Sequence, residues 1–324
     1  MSNALPDFDL LRPQSVEEAV AALQTSPSAR LCAGGTDLIV NMRHGLVELE
    51  TLVDLGAVVA MKRLEADAAG LHIGAGVTLR DLAESEAISE PFTAIRQAAL
   101  AVAGPGHRAV ATVGGNLCLE TRCLYYNQSH WWRKANDFCL KYQGDTCHVA
   151  PTGNRCRAAF CGDLAPALMV FGAKIEIAGP NGIRRIALPD LYREDGADHL
   201  TLAACEIITA IHIAPSKARS GYAKVRIRGA IDFPLAGVAI ACERGSPSAR
   251  SFRIAVTGTN SCPLLLDGPA PLADGNDPDA YFGALNKLVQ KAVSPQRTST
   301  TGAHYRRLAV AALAARLAKE LVDG

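Results

Sequence analysis

The chain has 324 residues, a formal net charge of +1 and 49% hydrophobic residues. This length suits two or three domains, and the nearly neutral charge argues against a general nucleic-acid-binding protein, which needs a basic surplus. No apolar run reaches the roughly 18 residues that a membrane-spanning helix requires, and the first residues lack the pattern of a secretory signal. We therefore expect a cytoplasmic protein.

The first 56 residues predict a small α/β unit. A capping-box pattern at Ser15 starts a helix with apolar residues at helical period. The short apolar run at 30–33 predicts a strand, which ends in a Gly-Gly turn at 34–37 and leads to a second short helix. Another strand is expected at 51–55.

A second unit is predicted over residues 57–216, with a second Gly-Gly turn at 112–116 that is also expected to follow an apolar strand. Its predicted strands lie at 71–76, 174–178 and 207–213, and its helices start at Thr78, about Phe92 and Asp163. A hairpin turn is expected at 179–182.

Residues 217–324 read as a separate C-terminal domain. Strands are predicted near 223–227 and 252–257, and a long helix at 305–321 closes the domain. The whole chain is therefore expected to be an α+β protein with three units.

The two Gly-Gly turns suit the binding of a pyrophosphate. Without a Cβ atom the backbone can approach the phosphates closely, and successive N–H groups form an anion-binding nest. Thr36 and Thr112 could add hydroxyl donors. Paired glycines more often only make turns, however, and neither turn is a Rossmann or P-loop fingerprint.

Cysteines are concentrated in one segment of the chain. Six of the ten lie within 44 residues, and both tryptophans lie in the same stretch. In a reducing compartment such clustering indicates metal or iron–sulfur ligation rather than disulfides. The six are Cys118, Cys123, Cys139, Cys147, Cys156 and Cys161.

Three motifs in this order, at 33–37, 112–116 and 162–168, make the chain similar to a known family. It resembles the FAD-binding subunits of the xanthine oxidase and carbon monoxide dehydrogenase family over essentially its whole length. The resemblance implies two α+β subdomains that clasp an extended FAD, followed by a smaller C-terminal domain. It also implies that this subunit does no chemistry on the organic substrate and has no catalytic residue of its own.

The resemblance further implies a set of FAD contacts. The first turn would wrap the pyrophosphate, the second would meet the phosphates and ribityl chain, Asp163 would bond polar groups of the cofactor, and Lys224 would lie near the isoalloxazine ring. Two simpler interpretations stay open: Asp163 as an ordinary helix N-cap and Lys224 as an exposed strand lysine. The implied residues are Leu31, Cys32, Ala33, Gly34, Gly35 and Thr36; Thr112, Val113, Gly114, Gly115 and Asn116; Asp163 and Lys224; and, against the flavin, Val102 and Ile207 or Ile208.

The chain departs from the family pattern by an insertion at about residues 119–159. In the family a short loop joins the second turn to the aspartate, whereas here 46 residues lie between Asn116 and Asp163. We expect the insertion to sit in a surface loop, where extra length costs little. Cys118 and Cys161 flank it and are predicted to be small scaffold residues.

Four cysteines remain inside the insertion as candidate metal ligands: Cys123, Cys139, Cys147 and Cys156, separated by 15, 7 and 8 residues. Four thiolates are the ligand number of a [4Fe–4S] cluster and also of a structural zinc. The insertion has no CxxC knuckle of the kind that zinc sites usually show, which favours iron–sulfur. Zinc and no metal remain open.

Within the family, the four-cysteine insertion is similar to that of the reductive branch, which removes a phenolic hydroxyl from an aromatic CoA thioester. This implies electron entry from ferredoxin, a [2Fe–2S] small subunit, a molybdenum-binding large subunit and an α2β2γ2 assembly. One alternative is the FAD subunit of another molybdenum hydroxylase with a structural zinc insertion. The other is a zinc-stabilised interaction module whose glycine turns bind nothing.

Overall fold

The computed structural model describes residues 5–244, 250–273 and 277–323. Within these ranges the chain forms twelve strands in three sheets and ten α-helices. None of the described helices is both long and apolar enough to cross a membrane.

The first sheet has three parallel strands in the order β1-β3-β2. Helix α1 begins where predicted: the Ser15 hydroxyl accepts the Glu18 N–H at 3.2 Å, and the Glu18 carboxylate accepts the Gln14 N–H at 2.7 Å. This arrangement satisfies two backbone donors at the helix start. The elements are β1 (Asp9–Leu11), α1 (Val16–Thr25), β2 (Arg30–Cys32), α2 (Leu38–Arg43) and β3 (Thr51–Asp54).

The second sheet has five antiparallel strands in the order β4-β5-β8-β6-β7. Its central strand is the predicted one at 207–213, and all but one of its residues are buried. The predicted hairpin turn joins β6 to β7, with Gly182 at φ +97°. The strands are β4 (Leu64–Asp67), β5 (Gly70–Gly74), β6 (Lys174–Gly179), β7 (Gly182–Ala187) and β8 (Ile207–Ile213).

Six helices lie between β5 and β6 in the chain, and one of them differs from the prediction. The second glycine pair does not form a turn after an apolar strand. It lies inside helix α6, because the Thr112 hydroxyl accepts the Gly115 N–H at 3.2 Å and caps a helical turn. The helices are α3 (Leu79–Glu84), α4 (Thr93–Ala101), α5 (Pro105–Arg108), α6 (Val113–Leu117), α7 (His130–Ala135) and α8 (Leu164–Met169).

The third sheet is antiparallel, in the order β12-β11-β10-β9, and two helices pack on it. The closing helix was predicted, whereas β10, β12 and α9 were not. The elements are β9 (Arg219–Val225), β10 (Ala236–Arg244), β11 (Arg250–Thr257), β12 (Leu264–Asp267), α9 (Pro278–Ala292) and α10 (Ala303–Asp323).

One hydrophobic core connects the three sheets. It includes Val53 of the first, Ile211 of the second and Ala239 of the third. Helix α4 is tied directly to the third sheet, since the Ala94 N–H donates to the Ser220 hydroxyl at 3.0 Å. The three units share one hydrophobic core, and the division of the chain at residues 56 and 216 stays a prediction.

Arg306 holds the C-terminal region together from inside helix α10. Its side chain is buried, at 2% exposure. The guanidinium donates to the carbonyl oxygens of Leu235 at 3.0 Å and Gln296 at 2.8 Å, to the Thr298 hydroxyl at 3.0 Å and to the Gly258 carbonyl. These hydrogen bonds join the residue before β10 and the residue after β11 to the segment that precedes α10.

We expect Arg306→Met to lower the free energy of unfolding by about 3 kcal/mol, because buried acceptors lose a charged donor. Urea denaturation of the purified protein measures this. Arg307→Met is the matched control, since Arg307 is exposed on the same helix and should change stability little. Equal stability of the two variants would show that the buried guanidinium contributes no net stability.

Candidate functional site

The first glycine motif lies between β2 and α2, pressed against a neighbouring backbone. A Cβ atom on Gly34 would overlap the Val110 carbonyl oxygen and lie 2.9 Å from the Ala111 nitrogen. Gly35 has φ +69°, in the left-handed region that favours glycine. The first motif therefore contacts the segment that leads directly into Thr112.

The second glycine motif is fixed against the end of strand β5. The Gly114 N–H donates to the Ala75 carbonyl at 2.8 Å, and a Cβ on Gly114 would lie 2.9 Å from the Ala75 Cβ. Gly115 is exposed, and residues 33–37 of the first motif are half-buried. Part of each motif is thus exposed to solvent.

Asn116 joins the second motif to the third. Its side-chain oxygen accepts the Leu164 N–H at 3.0 Å, so Asn116 caps helix α8. Asp163 stands at the N-cap position of that helix but makes no capping hydrogen bond. The interpretation of Asp163 as an ordinary N-cap is therefore wrong.

The Asp163 carboxylate belongs to a buried polar cluster. The Lys224 ammonium lies 2.9 Å from Asp163 Oδ1, and the Tyr222 hydroxyl donates to the same oxygen at 2.6 Å. The Asp163 and Lys224 side chains are each 4% exposed, so Lys224 is not an exposed strand lysine and that interpretation is also wrong. Tyr222 was missed, although it precedes Lys224 by two positions and therefore shares its face of β9.

Burial dominates the ionisation of this cluster. It raises the pKa of Asp163, while Lys224 and the Tyr222 hydrogen bond act in the opposite direction. Burial also raises the pKa of Tyr222 well above its ordinary value, so the phenol stays a donor. The Lys224 ammonium donates in addition to the Asp232 carbonyl at 3.1 Å.

The apolar residues assigned to the flavin are placed differently from one another. Ile207 and Ile208 are both buried, and as successive residues of β8 they face opposite sides of the sheet. Val102 is half-buried just after α4. In the first motif, Leu31 is half-buried and packs against the main core, whereas Cys32 is buried in a separate apolar cluster with Met42 and Leu52.

Most residues of the insertion are exposed or half-buried, as expected for a surface loop, and its base is fixed to the rest of the chain. Arg122 and Ala159 close its base with two backbone hydrogen bonds of 2.7 and 2.8 Å. Inside, Tyr126 and Ala158 are buried with Leu46 of the first unit in a small apolar cluster. The insertion folds because it builds part of a core with residues outside itself.

Further hydrogen bonds attach the insertion to three other parts of the chain. The Arg133 guanidinium donates to the Gly45 carbonyl at 2.8 Å, and the Leu124 N–H donates to the Thr298 carbonyl at 2.9 Å. The Cys156 N–H donates to the Asp195 carboxylate at 3.2 Å.

The four candidate cysteine ligands line a single cavity. The cavity is small and open on one side. Three of the four thiols are buried and Cys139 is half-buried. The lining residues are Cys123, Tyr125, Tyr126, Cys139, Leu140, Lys141, Cys147, His148, Val149, Cys156 and Ala158.

The cavity does not have the geometry of a single-ion site. Among the described residues, no group of three or more His, Cys, Asp or Glu side chains is arranged to hold a metal ion. A tetrahedral zinc would draw four sulfurs to about 3.8 Å from one another, given Zn–S bonds of about 2.3 Å. The four thiols therefore line one cavity without being arranged around a single ion.

Two buried cations lie in the insertion, and one of them, Lys141, lines the cavity. The Lys141 ammonium lies 4.6 Å from the centre of the Tyr126 ring, and Arg133 lies 4.5 Å from that of Tyr142. Two nitrogens of Arg133, Nε and Nη1, have no hydrogen-bond partner. Burial raises the pKa of the Cys156 thiol to about 12, and Lys141 opposes this rise.

Arg122 connects the insertion to the first glycine motif. Its guanidinium forms an ion pair with Asp37, and the Glu120 N–H donates to the same carboxylate at 3.2 Å. The Arg122 guanidinium also lies 4.5 Å from the centre of the Phe233 ring. The cysteine-lined cavity and the first glycine motif thus share a direct structural link.

Comparison with known proteins gives one consistent result. The family model described as "FAD binding domain in molybdopterin dehydrogenase" matches residues 6–216. The chain is 32% identical over 282 residues to the aldehyde oxidoreductase FAD-binding subunit PaoB of Escherichia coli strain K12, covering 83% of this chain and 86% of that one. It is 28% identical over 305 residues to the carbon monoxide dehydrogenase medium chain of Afipia carboxidovorans, covering 92% and 91%.

The fold agrees with a solved relative. A chain in the crystal structure of a Cu,Mo-CO dehydrogenase superposes with a TM-score of 0.74 at 25% identity, covering 98% of both chains. The predicted α+β fold of the CO dehydrogenase flavoprotein type is confirmed.

The Asp163–Lys224 pair predicts a strong coupling in stability. We expect Asp163→Asn and Lys224→Met each to lower the free energy of unfolding by about 3–5 kcal/mol, because each leaves a buried charge unpaired. The double variant should lose less than the sum of the two, and urea denaturation measures this difference.

The exposed pair Arg193–Asp198 supplies the control. Asp198→Asn should cost less than about 1 kcal/mol. Additive losses at Asp163 and Lys224 would contradict the coupling.

Proposed function

The chain belongs to the family of FAD-binding subunits of molybdopterin dehydrogenases, and we propose that it serves a 4-hydroxybenzoyl-CoA reductase. As a family member it is the FAD-binding, electron-transfer subunit of a molybdenum hydroxylase-type oxidoreductase. The proposed reaction of the whole enzyme removes the phenolic hydroxyl reductively and yields benzoyl-CoA in anaerobic aromatic catabolism. The observation that carries this proposal is the convergence of Cys123, Cys139, Cys147 and Cys156 on one cavity.

Within this proposal the three sequence motifs hold FAD. Residues 31–36 lie against Val110 and Ala111, which lead into the motif at 112–116, and Asn116 of that motif caps helix α8 beside Asp163. Backbone N–H groups of the first motif would receive the phosphates, because those of Gly114 and Gly115 already donate to Ala75 and Thr112. Lys224, held by Asp163, would place a positive charge near the isoalloxazine ring, with Val102 and Ile207 on its apolar side.

The four cysteines would hold a [4Fe–4S] cluster. Two features support this: the shared cavity, and the buried cation Lys141 on its wall, which favours an anionic group. When bound, the cluster would take low-potential electrons from ferredoxin and supply them through FAD towards [2Fe–2S] and molybdenum centres. The protein's own part is to bind and orient these groups and to set their electrostatics.

The proposed partners follow from the same family. Relatives are named as medium chains or FAD-binding subunits, which implies further subunits. We propose a large subunit with the molybdenum cofactor, a small subunit with [2Fe–2S] centres and an α2β2γ2 assembly. A cytoplasmic location suits ten cysteines of which none forms a disulfide with another among the described residues.

A second candidate is the FAD subunit of another molybdenum hydroxylase with a zinc-stabilised insertion. Four thiols in one small module suit this function too. A zinc-stabilised interaction module without FAD is disfavoured, because the FAD-binding family model covers residues 6–216.

Iron and acid-labile sulfide, measured on anaerobically purified protein, test the cluster. We expect about four of each per chain beside one flavin. Cys139→Ser should lower both and abolish ferredoxin-driven turnover of the assembled enzyme. Cys205→Ser is the matched control, because Cys205 is half-buried outside the insertion. One zinc and no sulfide would support the second candidate instead.

Gly34→Ala tests the flavin assignment. The added methyl group would overlap the Val110 carbonyl and push the two glycine motifs apart, so we expect FAD content per chain to fall well below half. Gly106→Ala is the control, because a Cβ there meets no atom within 4 Å. Full FAD content in a folded Gly34→Ala protein would move the cofactor site away from this junction.

A further inference from the structure

We propose that Lys141 sets the reduction potential of the iron–sulfur cluster by holding a buried positive charge against it. This inference rests on the proposed function, since it requires the cluster. It assigns a role to a residue of the insertion that is not a ligand.

Lys141 is fixed at the wall of the cavity. It follows Cys139 by two residues and its side chain is only 5% exposed. Its ammonium donates to the Thr121 hydroxyl and to the Thr121 carbonyl at 3.3 Å, and it pairs with the Glu120 carboxylate at 2.5 Å. The Tyr126 ring lies on a further side, with its centre 4.6 Å from the ammonium. So many contacts keep the charge in one place.

The other cations of the insertion are placed differently. Among the described residues that line the cavity, Lys141 is the only lysine or arginine. Arg133 is buried but turns to Tyr142 and the Gly45 carbonyl, and Arg155 pairs with Glu194. Lys134 is exposed.

Glu120 offsets the charge of Lys141 only in part. Its carboxylate does not line the cavity, and its side chain is 29% exposed against 5% for Lys141. Water therefore screens the carboxylate more than the ammonium. Lys141 is the member of this ion pair that lines the cavity with the thiols.

The electrostatic consequence has a definite sign. Four thiolates leave such a cluster negatively charged in both redox states, and reduction makes it more negative. A nearby buried cation stabilises the reduced state more than the oxidised state, and the low-dielectric surroundings strengthen the effect. Lys141 therefore raises the reduction potential, which eases acceptance of electrons from an external donor.

Lys141→Gln in the assembled enzyme tests the inference by EPR-monitored redox titration of the cluster. We expect iron and sulfide content to stay at the wild-type level and the midpoint potential to fall. Lys141→Arg should keep the potential close to wild type. Lys134→Gln is the matched control, since it removes the same charge from an exposed position of the insertion and should leave the potential unchanged.

Glu120→Gln provides a variant of opposite sign. Removing the carboxylate leaves the Lys141 charge uncompensated, so the potential should rise, and this result also decides the matter if Lys141→Gln loses its cluster. An unchanged potential in Lys141→Gln with full iron content, or a lowered one in Glu120→Gln, would overturn the inference. Absence of iron and sulfide from the wild-type protein would instead overturn the proposed function, and the inference with it.

Discussion

The ion pair between Arg122 and Asp37 is the interaction that makes one site out of two separate sequence features. Asp37 ends the first glycine motif, and Arg122 stands at the base of the insertion, where it is also paired with Ala159 by two backbone hydrogen bonds. Cys123 follows Arg122 directly. The position of the cysteine-lined cavity is therefore set relative to the glycine motif by a partly buried charge pair and a short backbone ladder. An insertion held in this way is part of the site's architecture.

The glycine motifs that we propose to bind the flavin depend on a different constraint, because Gly34 and Gly114 have no side chain. Gly34 lets the first motif touch Val110, and Gly114 lets helix α6 touch Ala75. From α6, Asn116 reaches the start of helix α8. Contacts between backbones are short and tolerate little change, because any Cβ atom at Gly34 meets a neighbouring main chain. The geometry presented to a cofactor is therefore determined by backbone packing rather than by adjustable side chains.

Local patterns in the sequence predicted much of the fold, and non-local pairing explains most of what they missed. The helix after Ser15 and the strand at 207–213 carry their own signals, a cap and a continuous apolar run. Helix α6 was missed because glycines are poor helix formers, and the Thr112 cap outweighs them there. The burial of Lys224 depends on Asp163, a partner on a distant element that no local pattern reveals.

The buried charges around Asp163 and those in the insertion are compensated in different ways. Asp163 and Lys224 form a neutral pair in which the charges satisfy each other. In the insertion, Arg133 is 2% exposed and has no carboxylate partner among the described residues, with two nitrogens left unbonded. Burying such a cation is costly unless a negative group lies nearby. For Arg133 the faces of Tyr126 and Tyr142 and the Gly45 carbonyl supply part of that compensation. The charge of Lys224 is thus balanced by a carboxylate, whereas that of Arg133 is balanced by ring faces and a carbonyl, which fixes the insertion against Gly45.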